Sequence, residues 1–210
     1  MNLVGTGRTA DVWALDDARV LRRYRDGRSA EPEAELLRHL HAHGFPVPPM
    51  HLVDGPEMTL GRVGGPTMLH ALSTGGLDLH TAARIVLDLH ALLHAVPPRG
   101  PGEAILHMDL HPDNVLLGPD GPVLIDWCNA IEGPPGLDLA MTAVILGQVA
   151  VDGPFAEGAA AFARPFIAAS PSLLPHLDNA LAHRAADPHQ SAAELAALPR
   201  AADFIRAAAG

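Results

Sequence analysis

The run His107-Met108-Asp109-Leu110-His111-Pro112-Asp113-Asn114 restricts this chain more than any other stretch. It places Asp109 and Asn114 in one short loop among turn formers. Two apolar strands are predicted next, around Leu116-Leu117 and Val123-Leu124-Ile125, and the second ends in Asp126. Alone, Asp109 and Asn114 would also suit an ordinary turn. With an acid-ended strand downstream, the spacing separates two roles. An aspartate that is not a principal metal ligand stays free to accept a proton from a hydroxyl, while Asn114 and Asp126 offer hard oxygen donors of the kind Mg²⁺ prefers.

The rest of the chain divides around this loop. Val12-Trp13-Ala14-Leu15 and Arg19 to Tyr24 read as two strands joined at Asp16-Asp17. Ser29 to His43 reads as a helix, with Leu36, Leu37 and Leu40 at helical spacing, acids near its start and Gly44 at its end. His51-Leu52-Val53 and Met58-Thr59-Leu60 read as two more strands. A break follows at Gly64-Gly65-Pro66, then a helix from Leu77 to Ala95 ended by Pro97-Pro98. From Leu137 the sequence is Ala- and Leu-rich and helical, cut by Pro154, Pro165, Pro171, Pro175, Pro188 and Pro199. A strand-rich first third followed by a helical remainder is an α+β pattern in two lobes, with the boundary between Arg62 and Pro66. The expected division is 1–62 and 63–210.

Composition excludes some classes. The formal charge of −10 gives no basic footprint for nucleic acid. No apolar run approaches the ~20 residues needed to span a bilayer, and Ala140 to Val151 reads as a buried helix instead. Cys128 is the single cysteine, so no internal disulfide forms, which fits a reducing, cytoplasmic setting. Met1 to Gly5 has no signal-peptide character. The thirteen histidines are scattered, without cysteine partners or an HExxH run, and are expected on the surface or in the core.

His107 to Asn114 fits H-x-D-L-x-x-x-N at every specified position, the pattern of a kinase catalytic loop. Asp126 then stands where the metal-binding aspartate of the DFG element stands, with Trp127 and Cys128 replacing its other two residues. Gly5-Thr6-Gly7-Arg8-Thr9-Ala10-Asp11-Val12 follows G-x-G-x-x-G-x-V with Ala10 at the third glycine. Its backbone amides suit close approach to triphosphate oxygens. The strand Val20-Leu21-Arg22-Arg23-Tyr24 has no lysine to grip phosphate. Arg22 is the preferred substitute and Arg23 the alternative, since neighbouring strand residues face opposite ways. The acid to orient that cation is Glu33, with Glu35 second.

These features resemble the aminoglycoside phosphotransferase family, itself similar to choline, homoserine and macrolide kinases. The resemblance also rests on Glu33-x-x-Leu36-Leu37-x-x-Leu40 ahead of Gly44-Phe45-Pro46-Val47-Pro48, on Arg62-Val63-x-Gly65-x-Thr67-Met68, on Leu89-His90-x-Leu92-Leu93-His94-x-Val96-Pro97, and on Asp138-Leu139-Ala140. It covers about residues 1–145. It implies a protein-kinase-like fold, a β-rich N-terminal ATP-binding lobe and a helical C-terminal catalytic and substrate-binding lobe, with ATP and Mg²⁺ bound between them. Asp109 would orient the acceptor and take its proton. Asn114 and Asp126 would hold Mg²⁺. Gly5, Gly7 and Arg22 would grip phosphates, with Glu33 orienting Arg22. The partner would be a small-molecule acceptor, an aminoglycoside-like antibiotic or a metabolite.

The missing lysine and the short C-terminal lobe also fit a nucleotide-binding pseudokinase or scaffold. Asp152, Glu157, Asp178, Asp187, Glu194 and Asp203 would favour a cationic acceptor if they faced it; otherwise they are solvated helix faces. His107 and Asp138 are expected to brace the catalytic loop or a helix start, His111 to pack on Pro112, and Cys128 to be a small buried residue.

Overall fold

The computed structural model describes residues 1–210 as two compact units. The first comprises residues 1–66 and 116–128, the second 67–115 and 129–210. The hairpin segment Leu116–Cys128 thus belongs with the N-terminal unit, although it lies beyond residue 62 in sequence.

In the first unit, β1 (Asn2–Thr6), β2 (Ala10–Ala14), β3 (Arg19–Tyr24), β4 (Met50–Asp54) and β5 (Glu57–Gly61) form one antiparallel sheet in the order β1-β2-β3-β5-β4. Asp16 closes the β2–β3 turn by accepting from the Ala18 N–H at 2.9 Å. Helix α1 (Glu31–Ala42) starts with Pro32 in its first turn and buries Ala34, Leu36, Leu37 and Leu40. Gly44, at φ 76°, donates to His41 O at 3.0 Å and ends the helix in a conformation that favours glycine.

The hairpin of Val115–Gly118 and Gly121–Leu124 is tied into this unit by its backbone. Leu117 N–H donates to Pro66 O at 2.9 Å, and Leu124 N–H to Pro46 O at 3.0 Å. A Cβ at Gly65 would lie 2.0 Å from Leu117 O, so no side chain fits there.

The second unit carries α2 (Met68–Ser73), α3 (Leu79–Ala95), α4 (Pro135–Ala150), α5 (Ala156–Ala168), α6 (Leu177–Ala186) and α7 (Ala192–Ala209). Helix α4 is apolar almost all round and packs on α5, α6 and α7, which is why its sequence shows no polar stripe. Gly147 on α4 would place a Cβ 3.3 Å from the Ala201 methyl, so small residues set the approach of α7. Asp78 caps α3, and Ser191 with Glu194 forms a capping box at α7. Phe166, Leu89, Leu93 and Ile167 are fully buried. Pro165 and Pro199, expected to cut helices, lie inside α5 and α7. Both face solvent, and each helix is held by its buried flank, Phe162 and Phe166 in α5, Leu198 and Ala202 in α7, which offsets one lost backbone bond. No helix is long and apolar enough to cross a membrane.

Candidate active site

Strand alternation sorts the two candidate arginines. The Arg22 side chain is turned inward, while Arg23 is about half exposed, pairs with Glu57 and lies over the Trp13 ring. Arg22 pairs through one nitrogen with Glu33, and its other terminal nitrogen is 2.6 Å from Asp126 Oδ1. Tyr24, on the same strand face, donates its hydroxyl to Glu33 and accepts from Arg22 at 3.2 Å. The Trp127 N–H donates to the second Glu33 oxygen at 3.3 Å. Glu35 is exposed on the outer face of α1.

Burial opposes charge on Arg22, but the carboxylates of Glu33 and Asp126 outweigh it and raise its pKa further. Tyr24 is raised as well, by burial and by the charge on Glu33, so its hydroxyl keeps its proton. Cys128 is pushed up to about 12 by burial and by the neighbouring Asp126, which leaves it a poor nucleophile.

Asp126 lies two residues past the end of its strand, at φ 65°. The left-handed backbone costs about 1–3 kcal/mol for a non-glycine residue and is held here by the Arg22 contact. Gly7 closes the β1–β2 turn by donating to Ala10 O at 2.9 Å. A Cβ on Gly7 would point within 4.0 Å of Asp126 Oδ2, so a bare backbone faces that carboxylate. Gly5 lies in β1 against the Val12 side chain.

In the second unit, Asp109, Asn114, His107 and His111 come together. Asn114 sits in a 3₁₀ turn, Pro112–Asn114, and its Nδ2 donates to Asp109 O at 2.9 Å. The buried His107 ring accepts from the Asp109 N–H at 3.2 Å, which braces the loop. His111 is drawn into the loop by hydrogen bonding: its Nδ1 accepts from the Asp113 N–H at 3.3 Å, and its Nε2 lies 3.2 Å from Asn114 Nδ2 and 3.9 Å from Asp109 Oδ1. Met108 is left-handed, at φ 63°, and its N–H donates to Asp138 Oδ1 at 2.8 Å, while His107 N–H donates to Oδ2 at 3.1 Å. Asp138 is fully buried beside His90 and His94, whose attraction outweighs desolvation and holds its carboxyl well below the usual range.

Sequence reasoning missed three neighbours. Arg184 of α6 lies 3.9 Å from Asp109 Oδ1 and donates through Nε to the buried Gln148 at 2.8 Å. Gln148 in turn donates to Gln190 and to Glu194 O, which fixes the arginine from behind. Tyr24 was signalled only by its i,i+2 spacing from Arg22. His90 was signalled by its i,i+4 spacing from His94, which puts both rings on one face of α3.

The fold these units define is the protein-kinase-like α+β arrangement, shared with an aminoglycoside phosphotransferase APH(4)-Ia variant at TM-score 0.66 and 16% identity over 100% of this chain and 94% of that one. A Plasmodium vivax ethanolamine kinase matches at TM-score 0.64 and 10% identity over 99% of this chain and 81% of that one. A choline/ethanolamine kinase family protein from Mesorhizobium loti matches at TM-score 0.56 and 15% identity, over 99% and 87%. No curated protein matches the sequence. The model of the APH phosphotransferase enzyme family matches residues 2–70 and 69–176, and the chain belongs to that family.

Proposed function

We propose that this protein transfers the γ-phosphoryl group of ATP to a hydroxyl, or an amine, of a small molecule, with an aminoglycoside-like antibiotic or a metabolite as acceptor. The observation that carries the reading is the braced loop of the second unit. Asp109 is partly exposed, and it is fixed through its own backbone by Asn114 and His107. In the proposed step the acceptor oxygen attacks the γ-phosphorus, its proton passes to Asp109, the bond from the γ-phosphorus to the bridging oxygen breaks, and ADP leaves.

Residues of the first unit serve the nucleotide in this reading. The Gly5–Ala10 loop offers backbone amides to phosphate oxygens, and Arg22, oriented by Glu33, supplies a fixed positive charge. An arginine in this place keeps its charge under burial. The donors proposed for Mg²⁺ fit a hard cation: the Asp126 carboxylate and the Asn114 amide oxygen. When bound, Mg²⁺ supplies neutralisation of the triphosphate charge. A structure of a related aminoglycoside phosphotransferase holds AMP-PNP and hygromycin B, in line with an ATP-type donor and a small acceptor. We place the protein in the cytoplasm on its single cysteine. ATP turnover against a broad panel of amino alcohols, sugars, homoserine, aminoglycosides and macrolides tests the reading, and no acceptor-stimulated ADP release across that panel would count against it.

A further inference from the structure

His90 is a buried ring of α3, 1% exposed, with no part in the proposed phosphoryl transfer. Its Nε2 is 3.1 Å from Thr142 Oγ1. Thr142 donates at 2.8 Å to the carbonyl of Leu110, the residue after Asp109. A hydroxyl has one proton, so towards His90 the same oxygen accepts, and Nε2 carries the ring hydrogen. In that tautomer Nδ1 is a bare lone pair, buried and without a hydrogen-bond partner. It lies 3.3 Å from Asp138 Oδ2, and His94 Nε2 lies 3.0 Å from the same oxygen.

Asp138 is ionised, since its oxygens accept the N–H groups of His107 and Met108. A bare nitrogen and a carboxylate oxygen, both buried, thus face each other with no hydrogen between them, which costs free energy unless a cation lies there. The donors suit one. Imidazole nitrogen and carboxylate oxygen are ligands of Zn²⁺, and the i,i+4 spacing of His90 and His94 puts both rings on one face of α3. The three donor atoms all lie within 4.8 Å of one another. Tetrahedral bonds of about 2.0–2.2 Å set ligand atoms about 3.3–3.6 Å apart, so the His90 contact already has that spacing and the His94 contact need open only slightly. A metal-ligating histidine donates its other ring nitrogen to a fixed acceptor, as His90 does to Thr142. The carboxylate is oriented too, by His107 N–H on Oδ2 at 3.1 Å and Met108 N–H on Oδ1 at 2.8 Å.

We propose that His90 Nδ1, His94 Nε2 and Asp138 Oδ2 form a Zn²⁺ site. Its two nitrogens set it apart from the all-oxygen donors proposed for Mg²⁺, and they select Zn²⁺ over Mg²⁺. His94 binds in the tautomer with its hydrogen on Nδ1, so that Nε2 offers a lone pair. Its side chain, 12% exposed, leaves the cluster open to water as fourth ligand. Bound there, the ion ties α3 to α4 through the carboxylate that holds the His107 and Met108 N–H groups. It therefore braces the loop that carries Asp109.

The direct test is calorimetric titration of the whole protein, stripped with EDTA and free of nucleotide, with Zn²⁺. Wild type should bind one Zn²⁺ per chain, Mg²⁺ should not compete, and the thermal midpoint should rise with Zn²⁺. The isosteric Thr142→Val removes the oxygen that accepts from His90 and should weaken binding by about 10- to 100-fold. His94→Gln removes a ligand and should weaken it further; if that variant does not fold, Thr142→Val decides alone. His39 and His43, where α1 ends, have rings 4.4 Å apart and control for binding by other histidines. His39→Gln/His43→Gln should leave the affinity unchanged. No Zn²⁺ bound by wild type, an affinity unchanged in Thr142→Val, or binding lost in His39→Gln/His43→Gln overturns the site. No turnover is read, so the result is independent of the proposed function.

Discussion

Arg22 and Asp126, 104 residues apart in sequence, meet at 2.6 Å in the N-terminal unit, and the same guanidinium pairs with Glu33. One buried cation therefore fixes both the helix α1 acid and the proposed metal acid. Removing one partner of a buried pair leaves an uncompensated charge, which costs about 3–5 kcal/mol. Glu33→Gln should lower stability by that order in urea unfolding. The double variant Arg22→Met/Glu33→Leu should be less destabilised than the sum of its single changes. Additive losses would show that the two residues are not coupled.

The proposed role of Asp126 predicts a difference between two ligands. Asp126→Ala should weaken binding of Mg-ATP more than binding of metal-free ATP by calorimetry. Equal losses for the two would remove Asp126 from the metal site.

Asp138 gives the fold an acid limit. Its carboxyl is held low in the folded state, so its contribution is complete above the unfolded value, about 3.9, and is lost as the pH falls below it. Stability should drop between about pH 5 and the acid range, with a slope of up to about 1.4 kcal/mol per pH unit from this group. In Asp138→Asn that share of the slope should vanish. An unchanged acid slope would mean the carboxylate is not ionised in the fold.

Of the acids of the last third, Asp152, Glu157, Asp178 and Asp203 are exposed, whereas Asp187 and Glu194 are half-buried and hydrogen-bonded. The Asp178 and Asp203 side chains are 86% and 84% exposed and face Arg206, and Asp152 pairs with Arg200. Exposed pairs contribute about 0–1 kcal/mol and are screened by salt. The double variant Asp178→Asn/Asp203→Asn should leave acceptor KM within about twofold of wild type at physiological salt. A tenfold rise for a cationic acceptor would give these acids a part in substrate binding.

The legible part of this chain is the part governed by period and spacing. The acidic turn at Asp16-Asp17 between β-rich runs gave the strand at Arg19–Tyr24, apolar alternation gave Glu57–Gly61, and the spacing of Leu36, Leu37 and Leu40 gave α1. The pleat of a strand left Arg22 and Arg23 open, because it says that neighbours face opposite ways without saying which is inside. Helix α2 was hidden by its length, six residues started by a Thr67 cap. The pairing of Ala104–Leu106 with Ile131–Gly133 joins three-residue strands far apart in sequence, below any periodic signal. The left-handed turns at Met108 and Asp126 carry no glycine to announce them. They are imposed by tertiary contacts with Asp138 and Arg22. Arg184 and the buried Gln148 are single polar residues on α6 and α4, and helical spacing carries no code for a ligand.

The central claim is that Asp109 takes the proton of a small-molecule acceptor during transfer from ATP. With whichever acceptor of the panel is most active, Asp109→Asn should lower kcat by about 10²- to 10⁴-fold while ATP affinity stays within a few-fold of wild type. Turnover close to wild type in Asp109→Asn, with the same acceptor and saturating Mg-ATP, would contradict the assignment of this residue as the base.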